Sequence, residues 1–113
     1  MAAEDQFGSA MKAWFARCDV LLTPTLSEPA IQLGRYDGWG WIRTMLSTAN
    51  WVQTPQWNLA GFAAISVPAA MSASGLPIGA QFVTPPGGET LLLSVARQVE
   101  KLKGWPRWKP GSA

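Results

Sequence analysis

Residues 54–68 read TPQWNLAGFAAISVP. A polar Thr-Pro start leads into Asn-Leu-Ala-Gly and then into an apolar run that closes on a proline. Asn58 is a short polar residue able to bond local backbone, and Gly61 permits a tight bend ahead of a buried strand. The strand signal is AISVPA, residues 64–69, with Pro68 as its expected stop. IGAQFV, residues 78–83, reads as a second strand, and Ser74-Gly75 is a turn signal between the two. Strands this close suit a hairpin, although the residues between Ala69 and Ile78 leave other pairings open.

On the C-terminal side, ETLLLSVARQVEKL (89–102) is the clearest helix. Leu92, Val95, Ala96, Val99 and Leu102 form one apolar stripe. Glu89 stands at the positive end of the helix dipole and Lys101 and Lys103 at the negative end. Gly104 is the expected stop, with Pro106 beyond it. On the N-terminal side, the spacing of Trp41, Met45, Ala49 and Val52 predicts a helix that ends before Pro55. Residues 24–40, with two prolines and three glycines, read as loop. DVLLT (19–23) reads as a short buried strand stopped by Pro24. Residues 4–16 place Phe7, Met11, Trp14 and Phe15 at helical spacing, with Gly8 weakening the helix by about 1 kcal/mol relative to alanine. The fold class is therefore α/β, strands flanked by helices.

Composition narrows the function. The chain has 113 residues, enough for one ordinary domain. Charged residues make up only 14%, against about 25% in a typical soluble domain. So few charges imply apolar surface that a partner, or more of the same protein, would cover. Histidine is absent, which removes Ser-His-Asp and Cys-His catalysis. With Cys18 as the only cysteine, no internal disulfide and no closed zinc site can form. No metal or other cofactor is expected, and Cys18 is expected to be a small buried residue beside a strand. The net charge is +2, and the only basic cluster is Lys101, Lys103, Arg107 and Lys109. The other basic residues are scattered and form no stripe, so the cluster reads as a solvated helix end, with no nucleic acid partner. No secretory leader is visible after Met1, and Gly61–Met71 is too short to cross a bilayer, so a cytoplasmic protein without membrane contact is expected.

Thr-Pro recurs at 23–24, 54–55 and 84–85, but the flanking sequences do not match, so the spacing is not a structural repeat. Tryptophan is abundant. Trp39, Trp41, Trp51 and Trp57 crowd the middle of the chain, and Trp105 and Trp108 its end. Such rings most often fill a core or an interface, and the middle group has the character to line an apolar pocket.

Three segments together resemble the C-terminal part of the amidase signature family. They are CDVLLTPTLSEPAIQLG (18–34), TPQWNLAGFAAISVP (54–68) and GLPIGAQFVTPPGGETLLLSVARQVEK (75–101). The resemblance runs over residues 5 to 105. It implies the C-terminal part of that fold, a mixed sheet flanked by helices, as one partial domain without a second. Family members hydrolyse carboxamide C–N bonds with a serine activated through a second serine and a lysine. The glycine-and-serine-rich run that carries those serines does not occur here. Ser66 lies in a strand that the family uses structurally, and neither Ser72 nor Ser74 is expected to pair with a lysine. The chain itself is thus expected to hold no catalytic residue.

The resemblance also implies partners: a missing N-terminal part of the amidase or a second copy of the chain, and a small amide substrate in the full-length enzyme. In relatives that take ammonia from glutamine, an acid seven places before the turn asparagine holds the substrate amine. Trp51 stands there in this chain. An indole cannot form that ion pair, so Trp51 and Trp57 are the candidate substrate-binding residues, lining the acyl side of a pocket for an apolar or aromatic amide. The competing expectation is a small stand-alone α/β binding module that keeps the scaffold without the chemistry.

Overall fold

The computed structural model describes residues 2–105, so Pro106, Arg107, Trp108 and Lys109 lie outside the described residues. Seven elements follow one another: α1 (Ala2–Phe15), β1 (Leu21–Pro24), α2 (Trp41–Trp51), α3 (Pro55–Leu59), β2 (Ala63–Met71), β3 (Pro77–Thr84) and α4 (Glu89–Lys103). The strands form one sheet in the order β1-β3-β2. Both pairings are antiparallel, with Leu22 opposite Phe82 and Phe82 opposite Ile65. The hairpin left open by the spacing of β2 and β3 is therefore real. Its turn closes through Gly75, at φ +79°, and through hydrogen bonds from Ser72 N to Leu76 O (2.7 Å) and from Gly75 N to Ser72 O (2.9 Å).

The opening stretch resolves into a helix stop. α3 is a single turn with Pro55 in its first positions, where a missing N–H costs nothing. Gly61 then takes φ +71°. Its N–H donates to Asn58 O (3.2 Å) and the Phe62 N–H reaches back to Trp57 O (3.0 Å). That is the paired-bond cap in which a left-handed glycine ends a helix. The apolar contact that accompanies such caps is Trp57 against Phe62, ring centroids 6.1 Å apart. Asn58 thus contributes its backbone carbonyl to the turn.

Of the two prolines expected to stop strands, Pro24 closes β1 and Pro68 stands inside β2. Pro24 pairs with Ala80 as the last residue of β1. Thr25 N–H donates to Gly79 O (3.3 Å), so the proline nitrogen faces the free edge, where no ladder bond is lost. β2 continues through Pro68 to Met71, with a register irregularity between Pro68 and Ala70. An edge strand absorbs proline in this way. The three Thr-Pro pairs fall at the end of β1, the start of α3 and the end of β3, three unlike settings.

One face of the sheet is covered by α4, through Leu92 and Ala96. The stripe read from the sequence does not hold to its end. Leu102 is 85% exposed, because the last turn of α4 runs past the apolar surface. There Lys103 Nζ donates to Ala69 O (3.1 Å), and Gly104 at φ +63° caps the helix onto Glu100 O (2.8 Å). The other face carries the aromatic core: Phe15, Trp57, Phe62 and Val83, flanked by Phe7, Met11, Leu21 and Ala60. Phe15 stacks on Phe62 at 5.6 Å. Trp14 sits at the margin, edge-on to Phe15 at 5.1 Å. Cys18 is half-buried in the turn after α1, its thiol directed to Trp14 O at 3.7 Å; it is not a core residue, because the strand begins only at Leu21.

α2 departs most from expectation. Trp41, Ile42, Met45 and Leu46 are all more than half exposed, Trp41 at 73%, and no α2 residue is buried. The helix forms with the expected spacing, yet its apolar side is left largely open to solvent.

Candidate functional site

Residues opposite one another in an antiparallel sheet share a face. Thr23, Gln81 and Ser66 form one such row across all three strands. It lies on the same face as Val83 and the aromatic core, a step further along β3. Beyond it, Thr25 Oγ1 and Ser66 Oγ share a hydroxyl hydrogen bond of 2.6 Å. Gly79 makes that bond possible. A Cβ there would stand 2.9 Å from Thr25 Oγ1 and 3.0 Å from Ser66 Oγ. The sheet therefore passes from an apolar half to a polar seam on one face.

Gln81 is the buried member of the seam, 2% exposed. Its Nε2 donates to Thr23 Oγ1 (3.1 Å) and to the backbone carbonyl of Gln53 (3.2 Å). Gln53 belongs to the linker between α2 and α3, which lies along the chain that leaves β1. Leu26 bridges Val52. Ser27 N–H donates to Trp51 O (3.0 Å) and Gln53 N–H to Thr25 O (3.4 Å). Ser27 Oγ donates to Asn50 O (3.2 Å) and accepts from Gln53 Nε2 (2.7 Å). Nothing in the sequence pattern marked this seam or this linker. The signals were a glutamine inside an otherwise apolar strand and three small hydroxyl residues at alternate positions. They become meaningful only once the register is known.

Of the two tryptophans proposed for binding, Trp51 stands at the start of that linker and Trp57 in the middle of α3 beyond it. Trp51 ends α2 and is half-buried, its carbonyl held by Ser27. Trp57 is in the core, 5% exposed, with Phe7 at 5.6 Å and Phe62 at 6.1 Å. Both bury the indole nitrogen without a hydrogen-bond partner among the described residues. Trp39 and Trp41 do not join them. Trp39 lies against Tyr36 (5.2 Å) and under the Arg43 guanidinium (3.8 Å), and Trp41 is open to solvent. A cleft of about 460 Å³ lies between the chain leaving β1 and the start of β3, lined by Pro24, Leu26, Ser27, Pro29, Pro77 and Ile78, among others, and neither Trp51 nor Trp57 lines it.

The seam can bind and orient; it is not built to activate a nucleophile. Ser66 meets a threonine hydroxyl, and Ser72 meets Ser74 (2.9 Å) and the Leu76 N–H (3.0 Å). Among the described residues, the only lysine amine in a hydrogen bond is that of Lys103, on a backbone carbonyl. No three metal-ligating side chains come together among the described residues, and no described helix is long and apolar enough to cross a membrane.

Comparison with known proteins agrees with this architecture. The family model described as Amidase matches residues 1–93. The chain is 38% identical over 95 residues to a putative amidase, AmiC, of Mycobacterium bovis, covering 83% of this chain and 20% of that protein. It is 37% identical over 99 residues to the AmiC of Mycobacterium leprae, covering 87% of this chain and 21% of that protein. Among solved structures, 6-aminohexanoate cyclic dimer hydrolase superposes with a TM-score of 0.69 at 30% identity, over 93% of this chain and 23% of the other. A glutamyl-tRNA(Gln) amidotransferase chain from Thermotoga maritima superposes with a TM-score of 0.75 at 26% identity, over 92% and 22%. The chain spans about a fifth of the length of these relatives. With the α/β sheet and its helices matched over nearly all of this chain, and the family model over residues 1–93, the chain belongs to the amidase signature family.

Proposed function

We propose that this chain is the C-terminal segment of a carboxamide C–N hydrolase, a single partial domain that supplies sheet scaffold and part of the substrate pocket and is inactive alone. The observation that carries the reading is uncovered apolar surface. The accessible surface is 8349 Å², whereas a folded monomer of 12.2 kDa exposes about 6,100 Å². The radius of gyration is 16.6 Å, against about 13 Å for a compact chain of this length. The molecule is 21 Å across its thinnest dimension, one sheet with α4 on one face and an incomplete helical layer on the other. A preceding part of the same enzyme, laid over α2, would complete it; a second copy of this chain is the other partner that fits.

In this reading the attacking serine, its serine partner and the lysine come from that preceding part, and no step of bond cleavage falls to a residue of this chain. Trp51 forms the acyl-side wall. An indole excludes water and favours a flat or apolar acyl group, so the substrate is a small amide with an apolar or aromatic acyl side rather than glutamine. Trp57, seated beneath in the core, holds α3 and the linker in place. The free thiol of Cys18 suits a reducing compartment, and we propose the cytoplasm.

Complementation tests this. An amidase relative lacking the segment matched by this chain is co-expressed with the 113-residue chain, and hydrolysis of aromatic and aliphatic primary amides is followed by ammonia release. Activity is expected only with both parts present, and greater on the aromatic amides. Hydrolysis by the chain alone would sink the reading. So would absence of any restored activity together with a cooperative, monomeric fold, which is the behaviour of a stand-alone binding module.

A further inference from the structure

A primary amide as buried as that of Gln81 is retained where both of its N–H groups find acceptors. Here one acceptor, Thr23 Oγ1, belongs to the sheet, and the other, the Gln53 carbonyl, belongs to the linker. The same carbonyl also accepts from Gln56 Nε2 (2.8 Å), which uses its second lone pair. Every other described hydrogen bond of residues 50–56 runs within the neighbouring helices and linker or to residues 25–27. Residues 25–27 continue β1, an edge strand. Thr25 is itself tied to the sheet, its N–H on Gly79 O (3.3 Å) and its hydroxyl on Ser66 Oγ (2.6 Å), so the linker is held indirectly along this edge and directly through Gln81. The Gln81 contact is the one described hydrogen bond that joins the linker to the central strand.

We infer that Gln81 is a positioning residue. From the middle of the sheet it holds the α2–α3 linker, and through the linker it sets where Trp51 stands. The consequence for substrate rests on the amidase reading above; the clamp does not. Gln81 thus governs acyl-group recognition without touching substrate.

The test separates the two claims. In the isolated chain, Gln81→Met keeps an unbranched side chain of similar size and removes both donors. Amide hydrogen exchange should accelerate by about tenfold at Ser27 and Gln53, the loss of one net hydrogen bond, while the β2–β3 hairpin amides keep their wild-type rates. The indole N–H resonance of Trp51, assigned by Trp51→Phe, should shift, and that of Trp57 should not. Thr23→Val, which removes only the sheet acceptor, should leave Ser27 and Gln53 protected. Equal acceleration across the hairpin, an unmoved Trp51 resonance, or the same loosening in Thr23→Val would each overturn the clamp. If Gln81→Met does not fold, the wild-type chain decides: Gln53 exchanging as freely as an unbonded amide overturns it, and protection matching that of β3 upholds it. In the complemented enzyme, Gln81→Met should raise KM for aromatic amides about fivefold with kcat changed less than about twofold, the pattern of lost substrate binding rather than lost chemistry. Loss of kcat alone overturns the recognition role. Failure of complementation by the wild-type chain counts against the amidase reading and leaves the exchange result to judge the clamp.

Discussion

A methyl group added at Gly79 would crowd the hydroxyls of Thr25 and Ser66, and those hydroxyls are already bonded to each other. Gly79→Ala should therefore break that bond and cost about 1–2 kcal/mol in urea unfolding. In a Ser66→Ala background the cost should shrink, because one of the two crowding oxygens is gone. Gly88 is less tolerant: a Cβ there would collide with the side chain of Thr84, which is itself buried. Gly88→Ala should exceed Gly79→Ala in the same measurement. Trp57 and Trp41 provide a second contrast. The first is enclosed by Phe7 and Phe62, so Trp57→Ala should cost about 3–5 kcal/mol. The second is open to solvent, and Trp41→Ala should stay within about 0.5 kcal/mol in the isolated chain. A Trp41→Ala cost close to that of Trp57→Ala would mean α2 is already covered.

α2 and α4 carry equally regular apolar stripes and meet different fates. α4 lies on the sheet and buries Leu92 and Ala96. α2 turns Ile42, Met45 and Leu46 to solvent and is anchored mainly at its last turn, where Val52 N–H donates to Thr48 O (3.0 Å) and Ser27 holds the carbonyls of Asn50 and Trp51. Met45→Lys with Leu46→Glu should accordingly reduce aggregation of the isolated chain by light scattering, leave its unfolding free energy within about 0.5 kcal/mol, and abolish complementation. Undiminished complementation would place the partner elsewhere. Sequence periodicity found both helices, because spacing alone decides which residues share a side. It could not tell which side would be met, since that depends on layers laid down by other segments.

For the molecule as a unit, a small sheet with thin helical cover on its two faces has few residues removed from water. Conformational entropy costs of order 1–2 kcal/mol per residue meet a core centred on Phe15, Trp57, Phe62 and Val83, with Leu92 and Ala96 on the opposite face. Heating the isolated chain should give a broad transition, with tryptophan fluorescence and near-UV circular dichroism failing to coincide. Adding the complementing part should sharpen it into one transition at higher temperature, since binding only the folded form stabilises it. A single cooperative transition of the chain alone would show instead that this core suffices.

The chemistry that residue types exclude, the order of most elements and the family were all legible in the one-dimensional chain. They depend on local rules: helical spacing from Leu92 to Val99, a glycine at the bend of Gly61, no histidine anywhere. Pro24 reads as a strand end and is one, the last residue of β1, whereas Pro68 reads as an end and lies inside β2, because a proline is tolerated or not according to whether its nitrogen faces a neighbour or an open edge, which is a property of strand order. The Thr23–Gln81–Ser66 row was invisible for the same reason, as its members are 58, 43 and 15 residues apart in pairs and meet only through register. Trp51 and Trp57, near neighbours in the chain, were separated by the fold into a half-buried helix end and a core residue. Local conformation follows from neighbours along the backbone; burial and hydrogen-bond partnership follow from which segments the sheet brings side by side.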